Sequence, residues 1–211
     1  LEFYLLKSSM EHSETRYRKL KILVGASGSV ASIKVSQLAK KLGENFEVRV
    51  VATKSALHFL RGEWEVTDYD LYTDQHEWAL WNDRGDPVLH IELMKWADIM
   101  LIAPLSANSL AKISQGICDN ILTSIARAWN FHKPIIVAPA MNTNMWNHPC
   151  TAQHLEILAK WGYQIISPIV KTLECKDTGM GAMAEVDTIV EFVHKLVKEV
   201  RSKKKETGSK Q

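Results

Sequence analysis

Apolar runs alternating with helix-like patterns predict an α/β domain with a doubly wound, mostly parallel sheet and helices on both faces. The runs fall near residues 21–25, 47–52, 99–103, 134–138 and 164–167. The stretch Pro134, Ile135, Ile136, Val137, Ala138 is the clearest, being apolar at every position as a strand buried on both faces must be. Neither an internal repeat nor a linker divides the chain. With 211 residues and 46% hydrophobic content it can bury one core, so a single domain over 20–200 is expected.

In chain order, Lys21 to Val24 forms the first strand, and a helix follows from the glycine-rich turn after it to about Leu42. Glu47 to Ala52 is the second strand and Ile99 to Ile102 a later, fully apolar one. Pro149 suits the first turn of a helix that runs to about Lys160 and ends before Gly162. A last helix is expected from about Asp187 to Val200. Such an alternation is Rossmann-like or flavodoxin-like, and in open sheets of this kind ligands sit beyond the carboxyl ends of the strands.

The chain ends carry less. Residues 1–19 read as an extension in which residues 1–9 precede Met10 and are left out of the fold, and 201–211 as a basic, solvated, disordered tail. A formal net charge of +2 points to neither nucleic acid nor membrane, and no run reaches the roughly 18 apolar residues of a membrane span. Cys118, Cys150 and Cys175 show no paired spacing, which fits a reducing cytoplasm.

Three strand ends lead into unusual loops. Gly25-Ala26-Ser27-Gly28-Ser29-Val30-Ala31 opens a helix, and its N–H groups with the hydroxyls of Ser27 and Ser29 can surround a phosphate. Its spacing is not GxGxxG, and the second strand ends in Thr53-Lys54-Ser55 with no acid for a dinucleotide ribose, so NAD is disfavoured. Ala103-Pro104-Leu105-Ser106-Ala107-Asn108-Ser109 lets a planar ring or phosphate approach the backbone. Pro139-Ala140-Met141-Asn142-Thr143-Asn144-Met145-Trp146 offers an amide from a Met- and Asn-rich recognition loop. A fourth segment, Glu174 to Glu185, has glycines and no period, as expected of a mobile flap that carries Cys175.

Together with Tyr72-Thr73-Asp74, Glu77-Trp78, Asp86 to Leu93, Trp96-Ala97-Asp98, Cys118-Asp119-Asn120, Arg127-Ala128-Trp129 and Gly181 to Glu185, these loops resemble the homo-oligomeric flavin-containing cysteine decarboxylases over about Lys21 to Val197. The resemblance implies FMN as cofactor, held by Gly28, Ser29, Val30, Thr53, Ser55, Ser106, Ala107, Asn108, Ser109 and Ala140. It implies phosphopantothenoylcysteine as the small-molecule substrate, bound by Asn142, Met145 and Met183. Catalysis would rest on His90 as base and on the flap thiol of Cys175 as proton donor. The implied assembly is a homotrimer with FMN at subunit contacts, His90 reaching the flavin of a neighbour.

Direct loss of CO2 from a cysteine conjugate would leave a carbanion that nothing adjacent delocalises. Oxidising the thiol to a thioaldehyde supplies the electron sink, and return of the electrons closes a redox-neutral cycle without nicotinamide. Imidazole suits the proton transfer near neutral pH. The other histidines, His12, His58, His76, His132, His148, His154 and His194, lack metal-ligand spacing, so no metal is expected. Lys176 departs from the glycine that the family carries after the cysteine, which restricts the flap backbone. Two alternatives are a halotolerance-type subunit that regulates a phosphatase and a lantibiotic-type peptidyl-cysteine decarboxylase. The presence of His90, Asn142 and Cys175 together favours an enzyme over the first.

Overall fold

A computed structural model describes residues 18–60, 69–172 and 178–208. The chain runs through β1 (Lys21–Ala26), a 3-10 turn (Val30–Lys34), α1 (Val35–Gly43), β2 (Glu47–Ala52), α2 (Lys54–Leu60), β3 (Leu71–Tyr72), α3 (Asp74–Leu80) and α4 (Leu89–Trp96). It continues with β4 (Ile99–Leu105), α5 (Ala107–Ser114), α6 (Ile121–Ala128), β5 (Ile135–Pro139), α7 (Thr143–Asn147) and α8 (Pro149–Lys160). Then come β6 (Gln164–Ile165), β7 (Ile169–Thr172), β8 (Thr178–Ala182) and α9 (Val186–Gly208).

Six parallel strands form one sheet in the order β3-β2-β1-β4-β5-β6. This is the Rossmann order of the two doubly wound possibilities, and its direction reverses between β1 and β4. Both faces of the sheet are apolar. Ile22, Val24, Val50, Leu101 and Ile136 pack against Leu38 and Leu42 of α1 and Ile189 and Val193 of α9. Leu23, Val51, Met100, Ile102 and Val137 face Leu89 and Leu93 of α4, Leu110 of α5, Leu122 and Ile125 of α6 and Leu158 of α8. Neighbouring residues of one strand thus supply opposite cores, which is why the runs show no polar face.

In two places the elements differ from the expectation. The segment read as an aperiodic flap holds a strand, β8, paired antiparallel with β7. Its partner supplies the regularity, because Thr-Gly-Met-Gly-Ala has no alternation of its own. The expected disordered tail is helical as far as Gly208, eight residues beyond Val200, since its Lys, Arg and Glu are good helix formers once α9 has nucleated. Among the described residues no helix is long and apolar enough to cross a membrane.

Candidate active site

At the carboxyl ends of β1, β4 and β5 lies a cavity of about 460 Å³, within the size range of small-ligand sites. It sits at the point where the strand order reverses, and Gly28, Ser29 and Val30 border it on the β1 side. Ser106, Ala107 and Asn108 enter from the start of α5, Ala140, Met141, Asn142 and Met145 from the loop after β5, and Met183 from the chain beyond β8.

The loops are tied together by short polar contacts. Ser27, expected to help surround an anion, is fully buried instead. Its hydroxyl donates to the Pro104 carbonyl at 2.9 Å and accepts from the Ser106 N–H at 2.7 Å. A side chain committed to that bridge holds the loops but takes no ligand. Ser29 lines the cavity, and its Oγ accepts from the Ala31 N–H at 3.3 Å at the head of the 3-10 turn. The Ser106 hydroxyl caps α5 by accepting from the Ser109 N–H. At Gly28 a Cβ would lie 2.5 Å from the Ser55 Cβ, so only glycine lets this loop close over α2.

Asn142 caps α7, its Oδ1 accepting from the Asn144 N–H at 2.7 Å. That bond sets the rotation of the carboxamide and gives the Nδ2 end the donor role. The Met141 N–H donates to the Gly181 carbonyl at 2.9 Å, which fastens the recognition loop to the hairpin. Gly181 has φ +141°, and a Cβ there would meet the Met141 carbonyl at 2.4 Å.

Of the FMN residues expected from the sequence, Thr53, Ser55 and Ser109 do not line the cavity. Thr53 turns inward, its Oγ1 accepting from the Ala56 N–H at 3.3 Å; Ser55 is exposed on α2 and Ser109 is buried behind Ser106. His90 also lies away from the cavity of its own chain, in the first turn of α4. Its partner is Glu77 of α3, whose Oε1 is 2.6 Å from the ring Nδ1. Cys175 and Lys176 lie outside the described residues.

The sequence reading missed Phe59, Lys34 and Lys171 as cavity residues. Glu185 accepts from Lys34 Nζ at 2.8 Å and from Lys171 Nζ at 3.1 Å. Two ammonium groups on one carboxylate leave the rim with net positive charge. The hydrogen bond from Lys34, and then that from Lys171, holds the Glu185 carboxyl below the usual carboxylate range. Lys34 stands in the turn just after the glycine-rich loop, a position that could have marked it; Lys171 comes close only through the hairpin.

The cavity's chemistry is divided. Val30, Ile33, Phe59, Met141, Met145 and Met183 make an apolar slot, while the turn after β1 and the start of α5 present polar groups of helix starts. This set fits a planar ring system that carries one phosphate. Among the described residues no three His, Cys, Asp or Glu side chains are grouped to hold a metal ion.

Comparison with known proteins agrees with this geometry. The Flavoprotein family model matches residues 10–198. The chain is 53% identical over 196 residues to a probable phosphopantothenoylcysteine decarboxylase of Arabidopsis thaliana, covering 93% of this chain and 97% of that one. Among solved structures it is similar to a PPC decarboxylase mutant complexed with pantothenoylaminoethenethiol, at TM-score 0.81 and 52% identity, over 86% of this chain and 100% of that one. It is also similar to the FMN-binding protein AtHal3, at TM-score 0.81 and 53% identity, over 86% of this chain and 98% of that one. The chain belongs to the flavoprotein family and, within it, to the phosphopantothenoylcysteine decarboxylases.

Proposed function

We infer that the protein is an FMN-dependent decarboxylase that converts 4'-phosphopantothenoylcysteine to 4'-phosphopantetheine in coenzyme A biosynthesis. The observation that carries this reading is the meeting, in one cavity at the strand-order reversal, of two helix starts suited to a phosphate with the Asn142 loop and an apolar slot. When bound there, FMN supplies reversible two-electron chemistry, which takes the substrate thiol to the thioaldehyde level and back.

The chain's own residues do the rest. Gly28, Ser29, Val30, Ser106, Ala107, Asn108 and Ala140 hold the cofactor, with Thr53, Ser55 and Ser109 supporting that wall from behind. Asn142 binds the substrate carboxylate by donating hydrogen bonds, without a full charge that would stabilise the anion against leaving as CO2. Met145 and Met183 pack on the substrate, and the positive rim of Lys34 and Lys171 suits an anionic ligand. His90 takes the thiol proton as the thiol is oxidised, and Cys175 returns a proton to the enethiol left after CO2 departs.

Because His90 does not line the cavity of its own chain, we assign the active site to a homotrimer in which it enters a neighbour's cavity. Trp78, Leu80, Trp81 and Val88 are exposed near His90 in sequence, and Val30, Ile33 and Met145 are exposed at the cavity. Apolar patches of this kind on both sides support a contact between copies. Cys118 and Cys150 are free thiols, in keeping with a cytoplasmic setting. The purified protein should carry an oxidised-flavin absorbance and release FMN on denaturation. A colourless protein that cannot be reconstituted with FMN would defeat this reading.

A further inference from the structure

We propose that Glu77 is a positioning residue that sets the tautomer and the aim of His90. Both carboxylate oxygens are committed to that one residue. Oε2 accepts from the His90 backbone N–H at 3.1 Å, and Oε1 lies 2.6 Å from the ring Nδ1. The Glu77 side chain is only 15% exposed, so water competes little for either contact.

An ionised carboxylate can only accept, so the neutral imidazole facing it must carry its hydrogen on Nδ1. Nε2 then presents a lone pair, which is the state a base needs before it meets the substrate. This deepens the decarboxylase reading and rests on His90 being the base. In the step itself the thiol S–H bond breaks, its electron pair stays on sulfur and a new N–H bond forms at Nε2. The ring is then a cation beside an ionised carboxylate, and Glu77 compensates the charge without taking a proton.

The support around Glu77 is directed at the same helix start. Val88, at the N-cap of α4, makes no side-chain cap, and Glu77 from α3 meets the N–H that such a cap would take. Asp74 of the same short helix likewise reaches a helix start, accepting from the Ile121 N–H of α6 at 2.7 Å beside the Asn120 cap. The far end of α4 is held by Lys133 Nζ, which donates to the carbonyls of Ala97 at 2.8 Å and Met94 at 3.0 Å. A carboxylate at the first turn and an ammonium at the last both suit the helix dipole.

Glu77→Gln separates positioning from simple bracing. The backbone N–H of His90 can only donate, so the amide oxygen must face it, and the amide NH2 is turned toward Nδ1. The ring answers by moving its hydrogen to Nε2, which removes the lone pair while the fold keeps its contact. We expect kcat to fall on the order of 10²- to 10⁴-fold with KM and FMN content unchanged. Imidazole ¹⁵N NMR of the flavin-loaded protein should show hydrogen on Nδ1 of His90 in the wild type and on Nε2 in the variant. A wild-type ring with its hydrogen on Nε2 overturns the proposal, and this readout stands even if the variant does not fold. Wild-type kcat in Glu77→Gln, with His90→Asn inactive, also overturns it and leaves the base assignment intact. Wild-type kcat in His90→Asn removes the base assignment itself.

Discussion

The Ser27 hydroxyl accepts from the Ser106 N–H at 2.7 Å, joining the loops that leave the two strands on either side of the sheet's reversal. The same hydroxyl donates to the Pro104 carbonyl, which also receives the Ser27 N–H at 3.1 Å. Ser27→Ala therefore strands the Ser106 N–H more than the carbonyl. We expect a loss of about 1–3 kcal/mol in denaturant unfolding, together with weaker FMN retention. Unchanged stability would mean that the two loops are held by other contacts.

Asn142→Asp tests the recognition loop. Aspartate caps a helix as well as asparagine does, so α7 and the melting temperature should be little changed. On the proposed assignment the added charge would face the substrate carboxylate, and kcat/KM should fall on the order of 10²-fold or more. Equal loss for a substrate amide would move the effect from charge to shape.

Cys175→Ser separates the half-reactions. On the proposed assignment oxidation and CO2 loss need only His90, Asn142 and FMN, so single-turnover mixtures should contain the enethiol, lighter than 4'-phosphopantetheine by a pair of hydrogens, with the flavin left reduced. A hydroxyl is a far weaker acid than a thiol of pKa about 8.5 and cannot replace it as donor. Normal product at a normal rate would make Cys175 structural.

Glu185 gives the rim an acid limit. Its carboxyl is held below the ordinary glutamate range, first by Lys34 and then by Lys171, so its contribution is complete above the unfolded value of about 4.3 and fades as pH falls through the folded one. The side chain is half exposed, which keeps the effect small. Denaturation midpoints of wild type and Glu185→Gln should differ at neutral pH and converge below about pH 4. A gap that persists in acid would assign it to packing.

The sheet and most of the cavity were legible because both depend on local pattern. Pro134 to Ala138 is apolar at every position, and the segments that follow β1, β4 and β5 carry most of the residues that line the cavity. What the sequence hid depends on pairing across distance. Glu77 and His90 are 13 residues apart on different helices, and no spacing rule joins them. The serine and threonine pattern was ambiguous for another reason: a hydroxyl next to a helix start can border the cavity, as Ser29 does, or turn into the fold, as Ser27 and Thr53 do. Strand β8 was hidden because Thr178–Ala182 has no alternation and owes its conformation to β7.

The most direct test of the account is CO2 release by the purified FMN-loaded protein from 4'-phosphopantothenoylcysteine, with no nicotinamide added. It predicts equal amounts of CO2 and 4'-phosphopantetheine over many turnovers, with the flavin oxidised at the end. A fully FMN-loaded protein that releases no CO2 from this substrate would contradict it.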